Sequence, residues 1–232
     1  MDPTWNPDVS VADWIAPRLL DWMGFEDGVR VCSQVPTGYD AYLRLLHPIG
    51  SGTWREACVH LGKVFHPLVQ WTHVAVGRPG RSCPPADQAP HYDTDDPADG
   101  SLDSLKLAIL VDVLRSAAPA SADVVNYGLW NGFGASQSGP TLALPGRDYH
   151  LFTGPLTVID RWAGIEFPQS PNLMWPDDRS WFLATEIDWD FTLVGGSEFL
   201  IATIEAEQGL ETVRVQPEDD LCFAGDTINA PA

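Results

Sequence analysis

Apolar positions recur along this chain at two spacings, one helical and one alternating. Residues Ser101 to Ala118, SLDSLKLAILVDVLRSAA, are apolar on most sides and predict a buried helix. Residues 10 to 23 carry Trp14, Ile15, Leu19 and Trp22 near helical spacing, with Ser10 as N-cap. They predict an amphipathic helix, with Pro17 as its weak point. Thr53 and Glu56 stand at capping-box spacing and predict a short helix ending near Leu61. Gly195-Gly196-Ser197 opens a further helix over Glu198 to Gln208, closed by Gly209.

Shorter apolar runs, bounded by turn residues, predict strands. Val29 to Ile49 reads as strand, Pro36-Thr37-Gly38 turn and strand, with Arg44 inside an apolar run and therefore paired or on an edge. Val69 to Val76, Val124 to Trp130, Tyr149 to Phe152, Leu156 to Ile159 and Thr212 to Val215 follow. Trp181 to Asp190 alternates most cleanly. Trp181, Leu183, Thr185, Ile187 and Trp189 would face one way, and Phe182, Ala184, Glu186, Asp188 and Asp190 the other. Strands outnumber helices and strict β-α-β alternation is absent. The fold class is therefore α+β, with a mixed or mainly antiparallel sheet and a few packed helices. One domain spans 1–232, with Gly77 to Gly100 as an irregular loop or insertion rich in Pro, Gly and Asp.

Charge narrows the partners. Thirteen basic residues stand against 32 acidic ones, a net charge of −19 over 232 residues. No basic stripe exists to hold a phosphate backbone, so nucleic acid and anionic membrane surfaces are excluded as partners. A basic protein partner suits such a surface. No run approaches the ~20 apolar residues of a membrane span, and the N-terminus has no signal-peptide pattern. Cys32, Cys58, Cys83 and Cys222 lie far apart in sequence, with no C-x-x-C. That predicts reduced thiols in a cytoplasmic protein and no cysteine-built metal site. Nothing in the pattern fixes an oligomeric state.

Candidate chemistry concentrates between Ser170 and Ile201, where three tryptophans and six carboxylates fall together. Trp175, Asp177, Asp178, Arg179 and Trp181 predict a corner in which the guanidinium lies between two indoles. It forms either an aromatic-walled pocket or a structural stack. Arg179 is expected to be partly buried and paired with Asp177, Asp178 or a strand carboxylate. Glu186 and Asp188, with Asp190, would line one strand face about 7 Å apart, a spacing that can hold a divalent cation or simply face solvent. His47, His60, His66 and His73 fall close together, without an H-E-x-x-H or H-x-H pattern. No Walker A loop, G-x-S-x-G elbow or other cofactor motif occurs, so neither a cofactor nor a metal is assigned.

Several stretches resemble a group of uncharacterised actinobacterial proteins. They are Ser170-Pro171-Asn172-Leu173, Trp175-Pro176-Asp177-Asp178-Arg179, Glu186-Ile187-Asp188, Val194-Gly195-Gly196-Ser197 and Asp226-Thr227-Ile228-Asn229. Leu46-His47-Pro48, His66-Pro67, Leu129-Trp130 and Tyr149 to Pro155 carry the same resemblance, which spans about residues 30 to 229. The chain departs from that group at Met174, where tryptophan is usual, and at Asn131, where an acid is common. Val35-Pro36, Tyr39 and Tyr42-Leu43 also resemble a short motif of SUKH-type immunity proteins. These features together suggest an acidic protein-binding module, immunity-like or regulatory, without catalysis. The alternative is a small-molecule or metal-dependent enzyme with its site between the 175–181 corner and the 181–190 strand.

Overall fold

The computed structural model describes residues 2–20, 29–50, 52–75, 96–118, 120, 122–135 and 138–230. Along the chain run β1 (Thr4–Trp5), β2 (Ala41–Leu46), α1 (Trp54–His60), α2 (Trp71–Val74), α3 (Ser104–Ala117) and β3 (Val125–Trp130). Then come β4 (Leu142–Leu144), β5 (Arg147–Gly154), β6 (Leu173–Pro176), β7 (Trp181–Ala184), β8 (Phe191–Gly196), α4 (Glu198–Glu205) and β9 (Thr212–Val215). Among the described residues these nine strands form one sheet, in the order β1-β5-β3-β6-β7-β8-β2-β9, with β4 also pairing β5. Every pairing is antiparallel. The architecture is α+β, as the pattern predicts.

Both faces of the sheet are covered. Neighbours along a strand therefore enter different cores: Phe182 and Ala184 join Trp14, Trp54 and Trp71, whereas Trp181 and Leu183 join the α3 and α4 side chains. This explains strands that are apolar at nearly every position. α1, α2 and the N-terminal segment cover one face; α3 and α4 cover the other.

The termini of the helices follow local rules. Thr53 Oγ1 accepts the Glu56 amide at 3.1 Å, and Glu56 Oε2 accepts the Thr53 amide at 2.9 Å, completing the capping box on α1. Glu211 adds both carboxylate oxygens to the same turn, accepting Trp54 N at 2.7 Å and Arg55 N at 2.9 Å. Asp103 caps α3 and Ser197 caps α4. Among the described residues, no helix is long and apolar enough to cross a membrane.

Five expectations change. Residues 10–20 form two separate 3₁₀ turns, Val9–Ala12 and Ala16–Arg18, with Asp8 rather than Ser10 as cap; residues 21–23 lie outside the described ones. Pro17 sits in the second turn, where its ring and missing N–H stop a continuous α-helix. Val31–Ser33 is a 3₁₀ turn instead of a strand. Trp71–Val74 is a single helical turn, because Asp226 takes the Gln70 amide and Trp71 and Val74 both point inward. Leu156 to Ile159 forms no strand, while β5 is longer than the run that announced it. The run from Trp181 stops at Ala184, and residues 185–190 turn back into β8. Of the predicted irregular stretch, 96–100 is described and has no regular structure; 77–95 lies outside the described residues.

Candidate functional site

The 175–181 corner is a hairpin, and its two tryptophans lie on opposite faces of the sheet. Trp175 stacks on Phe182 at 5.8 Å and 19° in one core. Trp181 is fully buried in the other. They are core side chains and wall no common pocket. Asp177, Asp178, Arg179 and Ser180 form the exposed turn between them. Asp178 Oδ1 accepts the Ser180 amide at 2.9 Å, and the Arg179 amide donates to Pro176 O at 2.9 Å.

Arg179 departs from expectation. It is exposed, and among the described residues it makes no ion pair. Its φ of +58° places the side chain over the neighbouring N-terminal segment, with the guanidinium 5.3 Å from the Trp14 ring. The expected stack on Trp175 or Trp181 does not form, because the sheet sends those indoles into opposite cores; the ring that Arg179 meets is Trp14.

Glu186 and Asp188 lie at the other end of β7, so the structure separates them from the corner. They share no strand face either. A sheet covered on both sides offers no wet face for three carboxylates, and each bends to a specific partner. Arg147, at the start of β5, places Nε 2.9 Å from Glu186 Oε1 and Nη2 3.0 Å from Asp188 Oδ2. Glu186 Oε2 also accepts the Asp188 amide at 2.6 Å. Burial pushes the Glu186 carboxyl up, and the Asp188 amide and Arg147 oppose that.

Asp190 instead faces Arg44, at 3.9 Å. Arg44 is fully buried in the interior strand β2 and paired, one of the two alternatives its apolar surroundings allowed. Its Nη1 donates to Pro67 O at 3.2 Å and Val69 O at 2.7 Å, and its guanidinium lies 4.0 Å from the Phe191 ring. Burial lowers Arg44 to about 10 and raises Asp190 to about 6.

A groove of about 370 Å³ adjoins the Arg147 cluster, lined by Trp130, Asn131, Leu144, Gly146, Arg147 and Asp148. Its indole wall rests on Gly132, where a Cβ would come within 2.2 Å of the ring. Arg147 lies 5.9 Å from that ring. The groove thus offers a flat aromatic surface, an amide, a carboxylate and a guanidinium already neutralised from behind.

The histidines divide. His66 Nε2 lies 2.9 Å and His73 Nδ1 3.4 Å from the buried carboxylate of Asp226. Asp226 also accepts the Gln70 and Asn229 amides, at 3.0 and 2.9 Å. Burial opposes ionisation there, yet the Asn229 and Gln70 amides, the Asn229 side chain and His66 hold it below its usual range. His66 Nδ1 accepts the Leu68 amide at 3.3 Å, so that ring is tied at both nitrogens. His47 belongs to another network, with Nδ1 2.6 Å from Ala98 O and Nε2 3.0 Å from Thr192 Oγ1. Among the described residues, no three His, Cys, Asp or Glu side chains gather as a metal site. Burial pushes the Cys58 and Cys222 thiols up to about 11, which suits inert packing rather than nucleophilic chemistry.

The sequence therefore located the carboxylates but missed Arg147 and Asp226 as the residues that organise charge. Arg147 opens a strand after the Pro145-Gly146 turn with little to mark it. Asp226 lies in a tail whose partners are about 160 residues away in sequence. No family model, curated protein or solved structure matches the chain.

Proposed function

We propose that this chain is an acidic binding module that docks a basic protein, in an immunity-like or regulatory role and without catalysis. One observation carries the reading: most of the surplus acid among the described residues is exposed. Among the acidic residues described, Glu186 and Asp226 are buried, Asp190 is partly buried, and most of the others are exposed. Arg44 is fully buried, and Arg147 is drawn back onto Glu186 and Asp188. These two cations are matched by Asp190, Glu186 and Asp188, so the excess acid remains on the exposed surface, which favours steering and register of a cationic partner. A cytosolic setting belongs to the same reading, supported by Cys32, Cys58 and Cys222 as free thiols.

The test is affinity capture with the whole chain from source-cell extract at low and high salt. A basic protein retained at low salt, with an association rate that falls steeply as salt rises, supports the reading. Recovery of no basic partner, or of a partner indifferent to salt, removes it. The groove beside Trp130 favours a second reading, a small-molecule site. A thermal-shift screen against metals, nucleotides and metabolites addresses it, since a ligand at 100 times its Kd adds about 2.7 kcal/mol.

A further inference from the structure

We propose that Arg18 and Arg179 form a binding site for a small oxyanion of the phosphate class, built around Trp14. The two guanidiniums meet the same indole, 5.5 Å and 5.3 Å from its ring. That indole is 9% exposed and stands edge-on to Phe182 at 5.9 Å, so it is anchored in the core. Little of it reaches the surface, and two exposed arginines lie against it. A planar guanidinium stacked on an aromatic ring keeps its N–H fork free for an oxyanion.

Their backbones are latched to one turn. Arg18 O accepts the Thr37 amide at 2.9 Å and the Thr37 hydroxyl at 3.0 Å. Arg179 O accepts the Tyr39 hydroxyl at 3.2 Å. The Tyr39 hydroxyl feels the charges of both Arg18 and Arg179, so the two arginines share one neighbourhood. The single proton of that hydroxyl is given to Arg179 O, so Tyr39 and Thr37 act as latches on the two arginine backbones. Between them Gly38, at φ +101°, leaves open space.

Two further observations favour a ligand over plain stacking. Arg179 is the one non-glycine residue with positive φ among the described residues. Strain of this kind persists where function holds it, since glycine would fit the turn without it. Neither arginine makes an ion pair among the described residues, although the chain carries 32 acids. Asp177 and Asp178 share the exposed turn with Arg179, and Asp178 accepts the Ser180 amide. These exposed carboxylates oppose an anion directly, and the rest of the acid does so from further away. Screening over about 8 Å at physiological salt weakens the distant acid, so the balance rests on the two guanidiniums against the carboxylates of the turn.

The inference stands apart from the basic-partner reading and is tested separately. Isothermal titration of the full chain with inorganic phosphate should give saturable binding, weakened at least about tenfold in Arg18→Gln and in Arg179→Gly. Arg179→Gly removes the strained side chain, so its Tm should hold or rise while binding falls. O-phosphoserine in a parallel titration separates the sources: tighter binding than inorganic phosphate points to a phosphorylated side chain, and equal binding to the free anion. Absence of saturable binding with a Kd below roughly 10 mM, or unchanged affinity in the double variant, overturns the proposal.

Discussion

Arg147 Nε stands 2.9 Å from Glu186 Oε1, joining the start of β5 to the turn after β7. The carboxylate is 4% exposed and the guanidinium 19%. Removing the cation strands a buried charge, which typically costs 3–5 kcal/mol; the residual exposure of Arg147 moves the expectation to about 3 kcal/mol. Arg147→Ala should lose that much in urea unfolding at pH 7. The deficit should shrink on acidification, because the lone Glu186 carboxyl, raised further, protonates first. A variant as stable as the parent at pH 7 would mean that water screens the pair.

Glu211 is tested through helix formation. Its two oxygens hold the first two amides of α1, beyond the reach of the Thr53–Glu56 box. Glu211→Ala frees both amides and should cost about 2 kcal/mol. Thr53→Ala should cost about 1 kcal/mol. Chemical denaturation of the two variants and their combination would show whether the caps act together. Equal, small losses would contradict the assignment of Glu211 as the stronger cap.

His47 and Asp190 should give opposite pH slopes. The Nδ1–H of His47 donates to Ala98 O, so Nε2 accepts from the Thr192 hydroxyl, which in turn accepts from Thr185 at 2.8 Å. Burial lowers this imidazole from 6.5 to about 4. Its contribution is present above pH 6.5 and is lost as pH falls through about 4, on the order of 3 kcal/mol in all. Asp190, raised to about 6, contributes stability below its unfolded value of 3.8 that is lost as pH rises through 6. Relative to the parent, His47→Gln should therefore gain stability from pH 7 to 4, and Asp190→Asn should lose it. Parallel pH profiles for parent and variants would refute both assignments.

Asp226 ties His66 and the Gln70 and Asn229 amides together from within the fold. Asp226→Ala leaves those donors unpaired and should cost at least about 3 kcal/mol. Asp226→Asn, which keeps one acceptor, should cost less. Equilibrium unfolding monitored by tryptophan fluorescence reads both; equal losses would show that charge, not acceptor geometry, matters there.

Local signals in the sequence translated well. The Thr53–Glu56 box, the α3 run, Val124 to Trp130, Thr212 to Val215 and the helix after Ser197 all form near their expected places. Alternation over Trp181 to Ala184 is real, but both of its faces are buried, and that depends on helices far away in sequence. Glu186 and Asp188 were singled out for density of charge, yet their geometry depends on Arg147, some forty residues earlier. Arg179 was read from its neighbours in sequence, whereas its ring partner is Trp14, brought close by the fold. Pairings set by turns and caps are legible locally; pairings set by sheet order are not.

The covered sheet also ranks the backbone amides by how long they resist deuterium. β7 is paired on both edges and roofed on both faces, so its amides should exchange only when the whole molecule opens. β1, two residues long, and β9 each have one unpaired edge and should exchange through local fraying. The protection gradient should run outward from Phe182 and Leu183. It would mark the middle hairpins as the last part of this molecule to come undone.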